Sequence, residues 1–434
     1  MPTAKKGDFF DDLEEMSPQE REAYQTTGLR EALEHAYRHA PSAKAIFDKA
    51  GVKPSAIRTV KDLEKLPITR KGDLIELQRS QPPYGGFVAC SSSEVDRVFI
   101  TPGPLYGPHQ SEGISWFGKT IYAAGFRAGD MVINTPSYHM SPAGILFHEG
   151  VRACGATVVP TGVGNTDAQI RTMLDLKVTG YTGMPSFLMT IIKRAEELGH
   201  DVRRDFALKR AWFTGEMLAP TTRKELEEGY GIDTYQCYAV TDLGGCVAYE
   251  CSEKAGMHFM DEYVIEIVDP ETFEPVAPGD VGELVVTTLT KEAFPVIRYR
   301  TRDLARLLPE PCPCGRTLAR MSRVLGRTDD MLIIKGVNVY PSQIEGVLFE
   351  IEGTHPHYQL IVEREGRLDK VTVHVEVVES IFFDQMKKQR EMIDRIKRRL
   401  ATELGIGVEV KLVGERTLAR SDGKAQRVID KREL

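Results

Sequence analysis

The sequence has no run of about 18 apolar residues, which removes a membrane-spanning helix from consideration. Its opening, MPTAKKGDFFDDLEEM, lacks the apolar core of a secretory leader. It also lacks a basic excess. Lys+Arg number 56 against 63 Asp+Glu, a net charge of −7, which argues against a generic nucleic-acid binder. Cysteine is scarce and odd in number, seven in 434 residues. A disulfide framework is therefore not expected, and free thiols or a metal site are the better reading. There is no internal repeat and no low-complexity tract. These exclusions lead to the expectation of a cytoplasmic, multi-domain globular chain with no nucleic-acid or membrane partner. Its 41% hydrophobic and 27% charged residues are ordinary for that class. The length predicts about two or three domains.

The patterning predicts an α/β fold in two parts. Ser17, Pro18 and Glu20 combine an N-cap, a first-turn proline and a capping-box glutamate, and the helical pattern continues from Leu29 to Ala40. From about Asp96, strand-like runs at 96–100, 130–135, 156–161 and 207–215 alternate with helix-length stretches. That alternation predicts βαβ units and a mostly parallel sheet. Residues 282–290 read as a strand in a later β-rich section. The last hundred residues differ. A strand over 331–341 precedes a helix from Ser342, then two strands, the second alternating at Val371, Val373, Val375 and Val377. A helix follows from Ile381 to Leu404, with Met386, Ile393, Ile396, Leu400 and Leu404 near one face, and then a strand at 408–413. This order predicts a small α+β module of ferredoxin-like type after a large multi-layer α/β domain. The boundary is expected at 327–330, giving domains 1–328 and 329–434.

Four segments carry chemistry: YAVTDLGG (238–245), FPVIRYRTRDLARLL (294–308), GRTDDMLIIKGVNVYPSQIE (326–345) and LARSDGKAQRVIDKREL (418–434). Together with ITRKGDL (68–74) they resemble the phenylacetate-CoA ligase family of AMP-forming ligases, over nearly the whole chain. The resemblance implies two half-reactions. A carboxylate attacks the α-phosphate of ATP to give an acyl-adenylate and pyrophosphate, and the thiol of coenzyme A then displaces AMP. Such chemistry needs charge compensation on polyphosphate, a Mg²⁺ ligand, ribose hydrogen bonds and an apolar acid pocket.

The resemblance assigns roles residue by residue. Asp303 would accept from both ribose hydroxyls, a task suited to a carboxylate, unless it is a surface partner of Arg300 or Arg302. Arg327 would approach the ribose or phosphate. Thr241 would touch the α-phosphate and Asp242 would hold magnesium, one methylene shorter than the family's Glu. Tyr238 would stack on adenine, and Thr214, Gly215 and Glu216 would line the nucleotide site. Lys424 is the implied catalytic lysine, bridging carboxylate and α-phosphate as charge redistributes. Asp329 is the implied hinge, and Lys335 and Gly336 would swing toward the site for thioester formation. Tyr138, His139, Met140, Pro142 and Phe187 fall where the family lines its acid pocket, with an aromatic carboxylate as the implied partner. The family also implies a homodimer.

Two features stand apart. Cys251, His258, Cys312 and Cys314 make a Cys₃His set suited to structural Zn²⁺, with Cys246 as a competing ligand and ordinary thiols as the plain alternative. A catalytic zinc would need an open position instead. The second is a departure. Where the family has a Ser/Thr/Gly-rich phosphate loop with a lysine, this chain has RVFITPGPLYGPHQSEG (97–113), with Pro102, Pro104 and Pro108. Proline donates no N–H, and His109 is a weak cation at neutral pH. An aryl-CoA ligase is the expected function. A nucleotide- or acyl-CoA-binding homologue with a degenerate phosphate loop and little ATP activation is the alternative.

Overall fold

The computed structural model describes residues 8–432 apart from 102–104, 111–113, 330–331, 335–336, 366–367, 379–380, 382–385, 416 and 419–426. The chain divides into two units, Met1–Leu218 with Glu225–Val324, and Ala219–Lys224 with Leu325–Leu434.

The first unit opens with helices. Ser17 caps α1 (Pro18–His39) through a complete capping box with Glu20. Leu29, Leu33 and Ala36 recur at helical spacing and are fully buried against Phe47 of α2 (Pro41–Ala50), Ile57 and Leu63. Residues 68–70 then dock on the central sheet. Thr69 bridges Tyr299 in parallel, its N–H donates to the Arg298 carbonyl at 2.8 Å, and α3 (Lys71–Ser80) starts immediately after.

The next element is a two-stranded antiparallel hairpin, β1 (Arg97–Thr101) and β2 (Leu105–His109), with Val98 opposite Pro108. The expected strands follow as β3 (Met131–Asn134), β4 (Thr157–Pro160), β5 (Gly180–Gly183), β6 (Arg210–Phe213) and β7 (Asp233–Val240). Helices α4 (Gly118–Ala123), α5 (Ala143–Ala153), α6 (Thr166–Asp175) and α7 (Pro185–Glu197) lie in the sequence around them. Parallel pairing needs crossover connections, which the intervening helices supply, and these strands pair in parallel in the order β4-β3-β5-β6-β7. Every residue of β5 and β6 is buried, as covered parallel strands must be.

At β7 the sheet changes sense. β8 (Gly245–Glu250) pairs with it antiparallel, and the sheet continues through β9 (Met257–Phe259), β13 (Arg320–Met321), β12 (Tyr299–Leu308) and β11 (Val281–Thr288) to β10 (Tyr263–Val268). Most neighbours there follow each other in sequence and turn back antiparallel, while β9 meets β13 across the intervening strands. β7 is thus both the last parallel strand and the first antiparallel one, and its carboxyl end is a natural place for a ligand.

The second unit holds a hairpin, β14 (Leu332–Ile334) and β15 (Val337–Val339), then α8 (Pro341–Phe349), β16 (Thr354–Glu365), β17 (Leu368–Val377), α9 (Met386–Leu404), β18 (Glu409–Val413) and β19 (Val428–Asp430). Its four-stranded sheet runs β18-β17-β16-β19. Val371, Val373, Val375 and Val377 are buried, as the alternation predicts, and Ile396, Leu400 and Leu404 bury the inner face of α9 with them. One expectation is corrected. The strand anticipated over 331–341 is a separate hairpin, and Val428–Asp430 takes the parallel edge beside β16. Among the described residues, no helix is long and apolar enough to cross a membrane.

Candidate active site

The carboxyl ends of the parallel strands are tied side by side. Thr135 N–H donates to Thr182 O at 3.1 Å, and Thr214 N–H donates to Gly183 O at 3.0 Å. Thr214 is buried and Gly215 follows in the left-handed region at φ +84°, which favours glycine. Glu216 is exposed, and its Oε1 accepts from Ser186 N–H at 2.6 Å on the first turn of α7. That contact also makes it a cap for a helix N-terminus.

β7 delivers the densest cluster. Tyr238 is buried, and its hydroxyl donates to Asp303 Oδ2 at 2.6 Å. Asp303 follows Arg302, a non-glycine residue at φ +66°, where β12 shifts register against β11 between Glu283 and Val285. Glu283 holds this irregularity by accepting from Arg300 Nε at 2.6 Å and from Arg302 N–H at 3.2 Å. Asp303 is therefore a buried carboxylate aligned by a tyrosine rather than the surface residue of the alternative reading, and Arg300 pairs with Glu283.

One residue beyond β7, Thr241 is exposed and Asp242 is buried. Tyr299 OH donates to Asp242 Oδ2 at 2.5 Å. Lys71 Nζ lies 3.1 Å from Asp242 Oδ2 and 3.1 Å from Thr101 Oγ1. Lys291 Nζ donates to the Asp242 carbonyl at 2.6 Å. Thr241, Asp242 and Lys291 line a cavity with Thr101, Pro108 and His109 of the proline-bearing hairpin. Burial holds Lys291 below the usual lysine range, at about 8, with Asp242 opposing the shift. Burial likewise pushes His109 down to about 4, and the Lys291 charge adds to this. His109 is therefore neutral at pH 7.

Lys71 and Lys291 were not singled out from the sequence. Their separations from Asp242, 171 and 49 residues, place the meeting beyond any local pattern. The available signals were the ITRKGDL segment and a lysine just ahead of FPVIRYRTRD.

The five acid-pocket residues are placed differently from one another. Pro142 lines the cavity. Tyr138 turns inward, accepting from Asn134 Nδ2 at 2.6 Å and lying 3.2 Å from His148 Nδ1. His139 and Met140 are exposed, Met140 at φ +57°. Phe187 packs on the core formed by Ile133, Tyr181 and Leu188. In the second unit, Arg327 and Asp329 meet each other in a two-pronged pair, Nε to Oδ1 at 2.9 Å and Nη2 to Oδ2 at 3.0 Å. Lys335, Gly336 and Lys424 lie outside the described residues.

The cysteine set converges. Cys251 follows β8 directly, His258 is the centre of β9, and Cys312 and Cys314 lie in the turn that Gly315 closes at φ +93°. Their ligand atoms all lie within 4.8 Å of one another and all four residues are buried. Cys251 Sγ is 3.6 Å from Cys312 Sγ, and Cys314 Sγ is 3.5 Å from His258 Nε2. His258 Nδ1 lies 3.3 Å from Leu318 O, which fixes the ring. A Cys251 thiol hydrogen bond, with His258 close by, holds Cys314 well below the ordinary thiol range. Cys246 is not part of the set. Its Sγ meets Ala248 O at 3.2 Å in the core.

Two family models match the chain, the AMP-binding enzyme over residues 110–290 and the AMP-binding enzyme C-terminal domain over 336–432. The phenylacetate-coenzyme A ligase of Escherichia coli is 37% identical over 98% of this chain and 98% of its own length. The chain belongs to the phenylacetate-CoA ligase family of AMP-forming acid–thiol ligases. The phenylacetate-coenzyme A ligase of Thermus thermophilus is 36% identical over 97% of this chain and 99% of its own. A solved 2-hydroxyisobutyryl-CoA ligase, in a postadenylation state with 2-HIB-AMP, superposes with a TM-score of 0.89 at 28% identity, covering 97% of this chain and 91% of that one. Tyr238 and the Thr241–Asp242 turn lie at the carboxyl end of β7, where the sheet changes sense, with Asp303 of β12 bonded to Tyr238.

Proposed function

We propose that the chain ligates an aromatic carboxylic acid such as phenylacetate to coenzyme A, through an acyl-adenylate made from ATP. The observation that carries this reading is the buried Asp303 carboxylate aligned by Tyr238 beside Thr241 and Asp242. Asp303 accepts from the ribose hydroxyls, and Tyr238 presents its ring to the adenine. Thr241 Oγ1 donates to the α-phosphate. Asp242 is the carboxylate offered to Mg²⁺, which takes one or two carboxylates together with phosphate oxygens. Thr214, Gly215 and Glu216 line the nucleotide, and Phe99, Pro142 and Phe294 supply apolar surface for the acid. Lys424 neutralises charge in the adenylation transition state. Asp329 serves as the pivot between domains 1–328 and 329–434, and Lys335 and Gly336 serve the thioester step.

The Cys251–His258–Cys312–Cys314 set suits a structural Zn²⁺. Zn–S bonds of about 2.3 Å give tetrahedral S···S edges of about 3.8 Å, close to the 3.6 Å between Cys251 and Cys312. Four buried protein ligands leave no open position for catalysis. Seven cysteines without a disulfide suit a reducing, cytoplasmic setting. A homodimer completes the proposal and is read by sedimentation.

Pyrophosphate release with ATP, Mg²⁺ and a panel of aryl and aliphatic acids tests the function. Acid-dependent release, abolished in Lys424→Ala, is expected. The hairpin bearing Pro108 and a neutral His109 favours one second reading, a nucleotide- or acyl-CoA-binding homologue. No release with any acid, alongside tight AMP binding, would establish that one instead.

A further inference from the structure

Arg97 begins β1, but the β1–β2 residues that line the cavity, Thr101, Leu105, Gly107, Pro108 and His109 among them, carry no charge at pH 7. Pro108 has no N–H, and His109 is neutral at pH 7. A polyphosphate bound here needs cations from elsewhere. We propose that Lys291, on the connection between β11 and β12, is a phosphate-binding residue that compensates the β- and γ-phosphates of ATP in place of a phosphate-loop lysine. The inference rests on the ATP-dependent reading above and names the residue on which that reading depends at this cavity.

The geometry separates Lys291 from Lys71. Lys71 is committed to the Asp242 carboxylate and to Thr101 Oγ1. Tyr299 OH donates to the same Asp242 Oδ2 that Lys71 approaches. Lys291 instead meets the Asp242 main-chain carbonyl, and no carboxylate forms an ion pair with it among the described residues. An ammonium has three donors, and the carbonyl uses one. The ammonium lies over the Phe294 ring, with Nζ 5.0 Å from its centroid. Gly244, at φ +93°, lies beside the Lys291 side chain. A Cβ there would sit 3.7 Å from Lys291 Cδ. A half-desolvated cation with a neutral partner is electrostatically unsatisfied, and an anionic ligand in the same cavity relieves it.

The test uses full-length protein and the Lys291→Met and Lys291→Arg variants. Met keeps an unbranched apolar side chain of similar length and removes the charge. Calorimetric titrations with AMP, Mg-ATP and Mg-pyrophosphate are compared. Lys291→Met should weaken pyrophosphate and ATP at least tenfold while AMP binding stays within twofold, and that unchanged AMP binding also certifies the fold. Lys291→Arg should recover most of the loss. In turnover, Lys291→Met should raise the KM for ATP and leave thioester formation from a preformed acyl-adenylate unchanged. Equal losses for AMP and pyrophosphate would show that Lys291 only props the Asp242 turn, and would overturn the proposal. Unaltered pyrophosphate binding in Lys291→Met, with a wild type that binds it, would overturn this inference alone. A wild type that binds AMP but neither ATP nor pyrophosphate would overturn the ATP-dependent reading and this inference with it.

Discussion

Removal of the Tyr238 hydroxyl should weaken AMP binding about tenfold without touching the nucleotide's phosphates. The hydroxyl donates to Asp303 Oδ2 at 2.6 Å, inside the short range of charge-assisted O–H···O⁻ bonds. Tyr238 and Asp303 are 8% and 9% exposed, so solvent does little to screen or replace the bond. A hydrogen bond to a charged group contributes about 1.5–3 kcal/mol. Part of that is recovered when Asp303 relaxes toward another donor, leaving about 1.4 kcal/mol in ligand affinity, or one decade. The assay is a double-mutant cycle in AMP affinity with Tyr238→Phe, Asp303→Ala and both together. Asp303→Ala should cost more, since it removes the proposed ribose acceptor itself. The double variant should lose little beyond Asp303→Ala. A coupling below about 0.5 kcal/mol would mean that the two residues act independently. The alignment argument would then be wrong.

Other outcomes follow from the same structure. Metal analysis of the purified protein should find one zinc per chain, and Cys314→Ser should lose it together with thermal stability; full stability without metal would refute the cluster's structural role. Gly256→Ala should destabilise by about 2–4 kcal/mol, combining overpacking with a left-handed backbone, because a Cβ there falls 2.7 Å from Met321 O at φ +107°; a chemical-denaturation midpoint within error of wild type would sink this. Glu14→Ala should cost about 3–5 kcal/mol by leaving Arg316 buried and uncompensated, since Glu14 is fully buried and accepts from Tyr249 OH at 2.8 Å as well as from Arg316; a loss under about 1 kcal/mol would contradict that. Burial lowers the His109 pKa from 6.5 to about 4, so the unfolded chain takes up the proton first and stability falls with acidity from about pH 6.5 to pH 4. His109→Gln should flatten that part of the stability profile, and an unchanged profile would place the titration elsewhere.

Much of the fold was legible in local chemistry. The capping box at Ser17, the strand–helix alternation from residue 96 and the valine alternation from 371 to 377 each follow from backbone preference and burial within a dozen residues. The motif residues Tyr238, Thr241, Asp242 and Asp303 were equally visible, because the segments around them carry the family's likeness. The cysteine set was visible as ligand types but not as a set. Cys251 and Cys312 are 61 residues apart, and only the pairing of β9 with β13 brings His258 to Cys314 while leaving Cys246 in the core.

What the sequence determined by itself was the kind of chemistry: residue types, their local elements, and the missing donors of a proline-bearing loop. What the tertiary structure alone decided was which charges meet. Lys71 and Lys291 reach Asp242 from separations of 171 and 49 residues, one through the docking of residues 68–70 on β12 and one through the β11–β12 connection. Coulombic and hydrogen-bond energies depend on distances of a few ångströms, and those distances are products of sheet order and register rather than of neighbours along the chain.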